Sequence, residues 1–183
     1  MWSFLKEWWP FLLVCAAAVL LFLLLPLLKK RMGEKAVSII LNTLPPDSYH
    51  IFRQLLIEGT AVDYVIVSPF GVFFLQAKDY KGWLTGHEKD AQWTQNTEGK
   101  QKAFPNPILQ NQRAAEALRR AVPQLPAGAC FPLVAFPGDC TLRLRTETPI
   151  LKYGAIGPAI RAKRACLLDD DTISRLCRFL SGC

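Results

Sequence analysis

Asp63, Gln76 and Lys78 are the residues of this chain whose types and spacing can do chemistry. Each lies in an otherwise apolar run: Asp63 in residues 61–68, Gln76 and Lys78 in residues 72–78, with Pro69, Phe70 and Gly71 between them. Polar groups in buried strands cost stability unless they are paired or bind something. If Ser68 and Gly71 pair across the turn, Asp63 falls opposite Gln76, and opposed residues project to the same face. Lys78, two residues on, shares that face. One small patch then holds a carboxylate, an amide and an ammonium. With Glu34 and water, Asp63 and Gln76 can hold a magnesium or manganese ion through oxygen. Such an ion lowers the pKa of bound water and stabilises charge on a phosphate. Lys78 can orient the nucleophile or neutralise developing charge. The chemistry is metal-assisted phosphodiester hydrolysis. A partly buried Asp63–Lys78 ion pair, hydrogen-bonded to Gln76, satisfies the same spacing, so two readings of the patch stand side by side.

The elements that must position this patch can be read from periodicity. Val37, Ile40, Leu41 and Leu44 recur at helical spacing, and Pro45 and Pro46 end that helix. Glu34 lies on the same stripe, three residues before Val37. It either faces the core or serves the first turn, where the helix dipole favours an acid. Residues 49–57 suit a strand or a helix, and Glu58, Gly59 and Thr60 read as a turn. Residues 61–68 and 72–78 are apolar on both faces, as in a sheet lying between helices. Residues 81–87 supply a further strand around Trp83, and residues 88–104 are polar and loop-like, anchored by Trp93. Asn106 and Pro107 open a helix with Ile108, Ala115, Leu118 and Val122 as its buried stripe. Residues 130–136 form another strand, 141–150 an edge hairpin, and Asp169 begins a closing helix with an acidic first turn.

Residues 8–28 carry no charge and are long enough to cross a bilayer as a helix. Trp8 and Trp9 open the run, and Lys29, Lys30 and Arg31 close it. That is the charge bias of a single-pass anchor whose C-terminal side is cytoplasmic. The expected organisation is a short extracytoplasmic N-terminus (1–7), a transmembrane helix (8–28), a basic flank (29–32) and a cytoplasmic domain (33–183) at an inner, bacterial-type plasma membrane. A cleaved signal peptide fits less well, because the apolar run is long and no A-x-A-like site follows it. The formal charge is +7. Without residues 1–31 the remainder has eighteen basic against fourteen acidic side chains, a balance that permits nucleic-acid binding without requiring it. The six cysteines include no C-x-x-C pair, which removes a zinc ribbon. Free, mostly buried thiols are expected in a cytoplasmic domain.

Several pieces together resemble the nuclease-related domain (NERD), a branch of the PD-(D/E)XK nuclease superfamily. They are Gly33-Glu34, the run GTAVDYVIVSPFG from Gly59, Gln76-Ala77-Lys78, Lys81-Gly82-Trp83, Trp93-Thr94-Gln95, and FPNPILQNQ from Phe104. The match covers most of residues 33–136. It implies an α/β domain of restriction-endonuclease type, with a central mixed sheet flanked by helices. It also implies Asp63, Gln76, Lys78 and Glu34 as the catalytic set, with Asp63, Gln76 and Glu34 holding the metal. Asn106, Pro107 and Gln110 form a family signature on the following helix. Asn106, Gln110 and Arg113 are the expected substrate-binding residues, with DNA or RNA as the partner. Three positions depart from the family pattern. Gln76 stands where Glu is usual, Tyr64 where His is usual, and Asp79 where Asn is usual. Gln76 removes one negative charge from the metal site. A nuclease, a binding module that has lost hydrolysis and a membrane-anchored protein-interaction module are all compatible with this pattern.

Overall fold

The structure, a computed structural model, describes residues 13–16, 18–20 and 35–183. The chain divides into two units, Met1–Lys35 and Ala36–Cys183. In the first, residues 13–16 and 18–20 are helical. Most of the expected transmembrane segment, and Glu34, lie outside the described residues. Among those described, no helix is long and apolar enough to cross a membrane.

The second unit is built on two mixed sheets rather than the single sheet the sequence suggests. The first sheet runs in the order β1 (His50–Ile57), β2 (Thr60–Ser68), β3 (Gly71–Ala77), β7 (Cys130–Phe136) and β9 (Ile150–Lys152). Its first three strands are an antiparallel meander; β7 and β9 then add in parallel. The β2–β3 turn is tight. Ser68 Oγ donates to the Gly71 carbonyl and accepts from Phe70 N–H. Gly71 has φ 131°, and a Cβ there would lie 2.6 Å from the Ala129 carbonyl oxygen, so the position takes only glycine.

Strong alternation in β2 and β3 sends side chains to two separate cores. Val65, Val67, Val72 and Phe74 pack with Ala114, Ala117 and Leu118 of α2 (Pro107–Ala121) and Ile173 and Leu176 of α4 (Asp170–Leu180). Tyr64, Ile66, Phe73 and Leu75 pack with Val37 and Leu41 of α1 (residues 36–41 in this unit) and Ile156 and Ile160 of α3 (Ile156–Arg161). A sheet covered on both faces explains why these strands read as continuous apolar runs. The buried stripe of α2 runs through Ile108, Asn111, Ala114, Ala117 and Leu118; Ala115, expected in it, is only half-buried.

The second sheet has the order β6 (Lys100–Pro105), β5 (Gln92–Thr97), β4 (Gly82–His87) and β8 (Cys140–Arg145). Residues 88–104, expected to be loop, thus contain two strands. Alternating polar residues hid them, because only one face of this sheet is buried. The expected hairpin at 141–150 is also corrected: β8 joins the second sheet and β9 the first. Leu84, Trp93 and Phe104 form a third core with Ile108 of α2 and Val134 and Phe136 of β7. The six cysteines are free. Cys140 is buried, Cys130 and Cys177 are half-buried, and Cys15, Cys166 and Cys183 are exposed, so fewer thiols are buried than expected.

Candidate functional site

The β2–β3 register follows the pairing expected from Ser68 and Gly71 as far as Tyr64 opposite Leu75. It changes character at Asp63. Val62 and Tyr64, two apart on one strand, belong to opposite cores. On β1 the residue between Arg53, which pairs Tyr64, and Leu55, which pairs Val62, is Gln54, with φ 53°. A left-handed residue inside a strand disturbs the pleat and re-aims its neighbours, as bulges do. Asp63 is turned out of the ladder toward the end of β3.

There its carboxylate is well held. Oδ2 accepts from Ala77 N–H at 2.8 Å. Lys78 Nζ donates to Oδ1 at 3.2 Å and Oδ2 at 3.0 Å. The two side chains keep 32% and 24% of their surface, so the pair is open to small molecules from solvent. Lys78 N–H donates to the Ala135 carbonyl, which fixes the residue beside the neighbouring strand β7.

Gln76 does not bond to Asp63. It is fully buried, and its Nε2 donates to the Ala61 carbonyl at 2.7 Å. That acceptor sets the amide orientation, leaving Oε1 buried with no hydrogen-bond partner among the described residues. Asn111 behaves alike. Its Nδ2 bridges the Phe74 and Leu133 carbonyls at 2.9 Å each, stitching α2 to the parallel pair β3–β7, and its buried Oδ1 has no partner among the described residues. The sequence did carry a signal for Asn111, a polar residue on the helix stripe between Ile108 and Ala114. An unpartnered buried carbonyl-type oxygen is uncommon and calls for a reason.

Two phenols feel the charge of Asp63. Burial raises the Tyr80 hydroxyl above its ordinary pKa, and the charge on Asp63 adds to this. Tyr153 is raised further, first by burial, then by Asp79 and Asp63. Both therefore stay protonated and neutral beside the anionic cluster. Tyr80 lies just past the end of β3, close to Lys78 along the chain. Tyr153 comes from the far end of the chain, and nothing in the sequence points to it.

The signature on α2 is placed differently. Asn106 is 1% exposed and caps the helix. Its Oδ1 accepts from Ile108 N–H, and its Nδ2 donates to the carbonyls of Glu88 and Asp90 at 2.8 Å each. Its amide is thus committed to tying α2 to the turn between β4 and β5. Gln110 is half-buried and Arg113 exposed on the same helix. A cleft of about 670 Å³ near α2 is lined by Leu109 and Gln112 together with His87, Arg145 and Glu147; Asp63, Gln76 and Lys78 are not part of it.

The donor chemistry at the β2–β3 end is of the hard-oxygen type. Asp63 supplies a carboxylate, and Gln76 an amide oxygen that no donor among the described residues uses. These suit a small divalent ion that keeps several waters. Among the described residues no group of three or more His, Cys, Asp or Glu side chains is arranged to hold a metal.

Residues 29–137 match the family described as Nuclease-related domain. An uncharacterized protein of Bacillus anthracis is 30% identical over 161 residues, an overlap of 82% of this chain and 74% of that protein. No solved structure matches the chain.

Proposed function

Because the chain belongs to the nuclease-related domain family, we propose that it hydrolyses phosphodiester bonds in DNA or RNA, with Asp63, Gln76 and Lys78 at the reacting centre. The observation that carries this reading is the solvent-facing Asp63–Lys78 pair at the end of β3, the strand that also carries buried Gln76, whose Oε1 has no hydrogen-bond partner among the described residues. Asp63 and Gln76, with Glu34, would hold a magnesium or manganese ion, which supplies an activated water and charge for the phosphate. Ala77 N–H holds Asp63 Oδ2 in place, so the carboxylate needs little reorganisation. Lys78 Nζ carries three donor hydrogens; released from Asp63, it donates to the charge that develops on the phosphate oxygens. Tyr80 and Tyr153, kept protonated, add no competing negative charge. In the same reading residues 8–28 anchor the protein in a plasma membrane and hold this domain on the cytoplasmic side, and Gln110 and Arg113 meet the substrate.

A second reading keeps nucleic-acid binding and drops hydrolysis. It is favoured by the neutral Gln76 and by Lys78, which engages both oxygens of Asp63. Full-length protein with magnesium or manganese should cut nucleic acid, and Asp63→Ala should abolish cutting. Metal-dependent cutting undiminished in Asp63→Ala overturns the assignment. Calorimetric titration of either ion into wild type and Gln76→Glu separates the readings: binding seen only in Gln76→Glu supports the inactive module.

A further inference from the structure

The two faces of the second sheet differ sharply. By its register, Leu84, Trp93, Phe104 and Leu142 turn inward to the third core. Trp83, Thr85, Thr94, Asn96, Arg143 and Arg145 turn outward. No residue at an outward position is buried, and none is acidic. Among the described residues, neither arginine forms an ion pair; at one end of the face Arg145 also lines the cleft shared with Leu109 and Gln112 of α2. Trp83 is 50% exposed, unusual for the largest apolar side chain. The Arg143 guanidinium lies 3.9 Å from the centroid of its ring, which sets a cation against one face of the indole. The result is a half-exposed aromatic platform with two arginines that form no ion pair, among small neutral polar side chains.

We propose that this face binds single-stranded nucleic acid, with a base stacked on Trp83 and phosphates on Arg143 and Arg145. Charge complementarity selects a polyanion. The exposed indole selects a strand whose bases are free to stack, because every base offers a π-face and a duplex hides it. Trp83 follows Lys78 by five residues, so the chain between them spans at most about 17 Å. A strand lying on the platform therefore runs within a few nucleotides of Asp63. The choice of ligand class rests on the phosphodiester reading above; the binding face does not depend on hydrolysis.

The test is fluorescence anisotropy of a labelled 20-nucleotide oligo-dT with the full-length protein in EDTA, beside a duplex of equal length. The single strand should bind more tightly than the duplex. Trp83→Ala should weaken it about tenfold, and Trp83→Phe should recover part of the loss. Arg143→Ala with Arg145→Ala should lower the dependence of log affinity on log salt by about 1.4. Affinity unchanged in both the Trp83→Ala and double-arginine proteins overturns the proposal. So does equal affinity for the duplex, or retention by phosphatidylserine vesicles or by a second copy of the chain in place of the oligonucleotide. If binding behaves as expected while no protein cuts with metal, hydrolysis fails and the platform stands. If Asp63-dependent cutting is found while platform variants bind and cut as wild type, the platform fails and hydrolysis stands.

Discussion

The two sheets of this domain are made from similar numbers of strands and have opposite relations to water. The first is covered on both faces, by α2 and α4 on one side and α1 and α3 on the other. The second is covered on one face only. In the covered sheet every polar group must be accounted for, and nearly all are: Gln76 on Ala61, Asn111 on Phe74 and Leu133, Ser68 on its own turn. The exceptions, the amide oxygens of Gln76 and Asn111, are conspicuous because burial makes them costly. In the open sheet a lone arginine or tryptophan costs little, so nothing but function or solubility decides what stands there. The covered sheet thus holds its polar groups fixed near the ends of β2 and β3, and the open sheet leaves its outward face free to meet a ligand.

The comparison can be broken at its strongest point by paired deletions. Phe74, fully buried in the covered sheet, should lose about 3–5 kcal/mol on truncation to alanine. Trp83→Ala on the open face should lose about 0.5–1 kcal/mol, the contact with Arg143. Urea unfolding of the two variants measures both, and similar losses would mean the second sheet is covered after all.

A smaller effect tests how the sheets are joined. Asn106 caps α2, which packs on the first sheet, and bonds to the carbonyls of Glu88 and Asp90 in the turn between β4 and β5 of the second. Asn106→Ala should cost about 2 kcal/mol, the loss of a cap together with two stranded carbonyls. Asn106→Asp keeps the cap but not the donors, so thermal unfolding should place it between wild type and alanine.

The smallest effect concerns acid. Glu88 holds the segment after β8: its carboxylate accepts from the Thr148 hydroxyl and from the amides of Glu147 and Thr148. The Thr148 hydroxyl first, then the Glu147 amide, hold its pKa below the ordinary 4.5. A carboxyl depressed in the folded state contributes stability that is present above pH 4.5 and lost as pH falls through the lower folded value. Thr148→Val should therefore melt slightly earlier than wild type at pH 6, with the gap closing as pH is taken well below 4.5. Asp169, depressed chiefly by Thr172 at the start of α4, acts in the same direction.

The extent to which all this was legible follows the same division. The β2–β3 turn and its register as far as Tyr64 could be read, because two apolar runs around Pro69-Phe70-Gly71 allow little else, and the Asp63–Lys78 pair was one of the two readings of the patch. The strands β5 and β6 were not legible, since Trp93 and Phe104 are single large anchors in polar surroundings, and a half-exposed strand leaves a weak signal. Within the hairpin, spacing put Gln76 against Asp63. It missed that Gln54 would turn Asp63 outward and leave Gln76 to Ala61.

By itself the sequence determined the local partners: that the two apolar runs around Pro69-Phe70-Gly71 are paired strands, which family signature they carry, and that an acid and a lysine meet at the end of the hairpin. Those depend on residues near one another along the chain, where propensity and alternation act directly. Only the tertiary structure decided that there are two sheets, that α2 reaches the first through Asn111 and the β4–β5 turn through Asn106, that the charges of Asp79 and Asp63 act on a buried Tyr153, and that Trp83 and Arg143 share an outward face. These depend on which distant elements cover which surfaces, and burial is a property of the assembled layers that no single stretch of sequence contains.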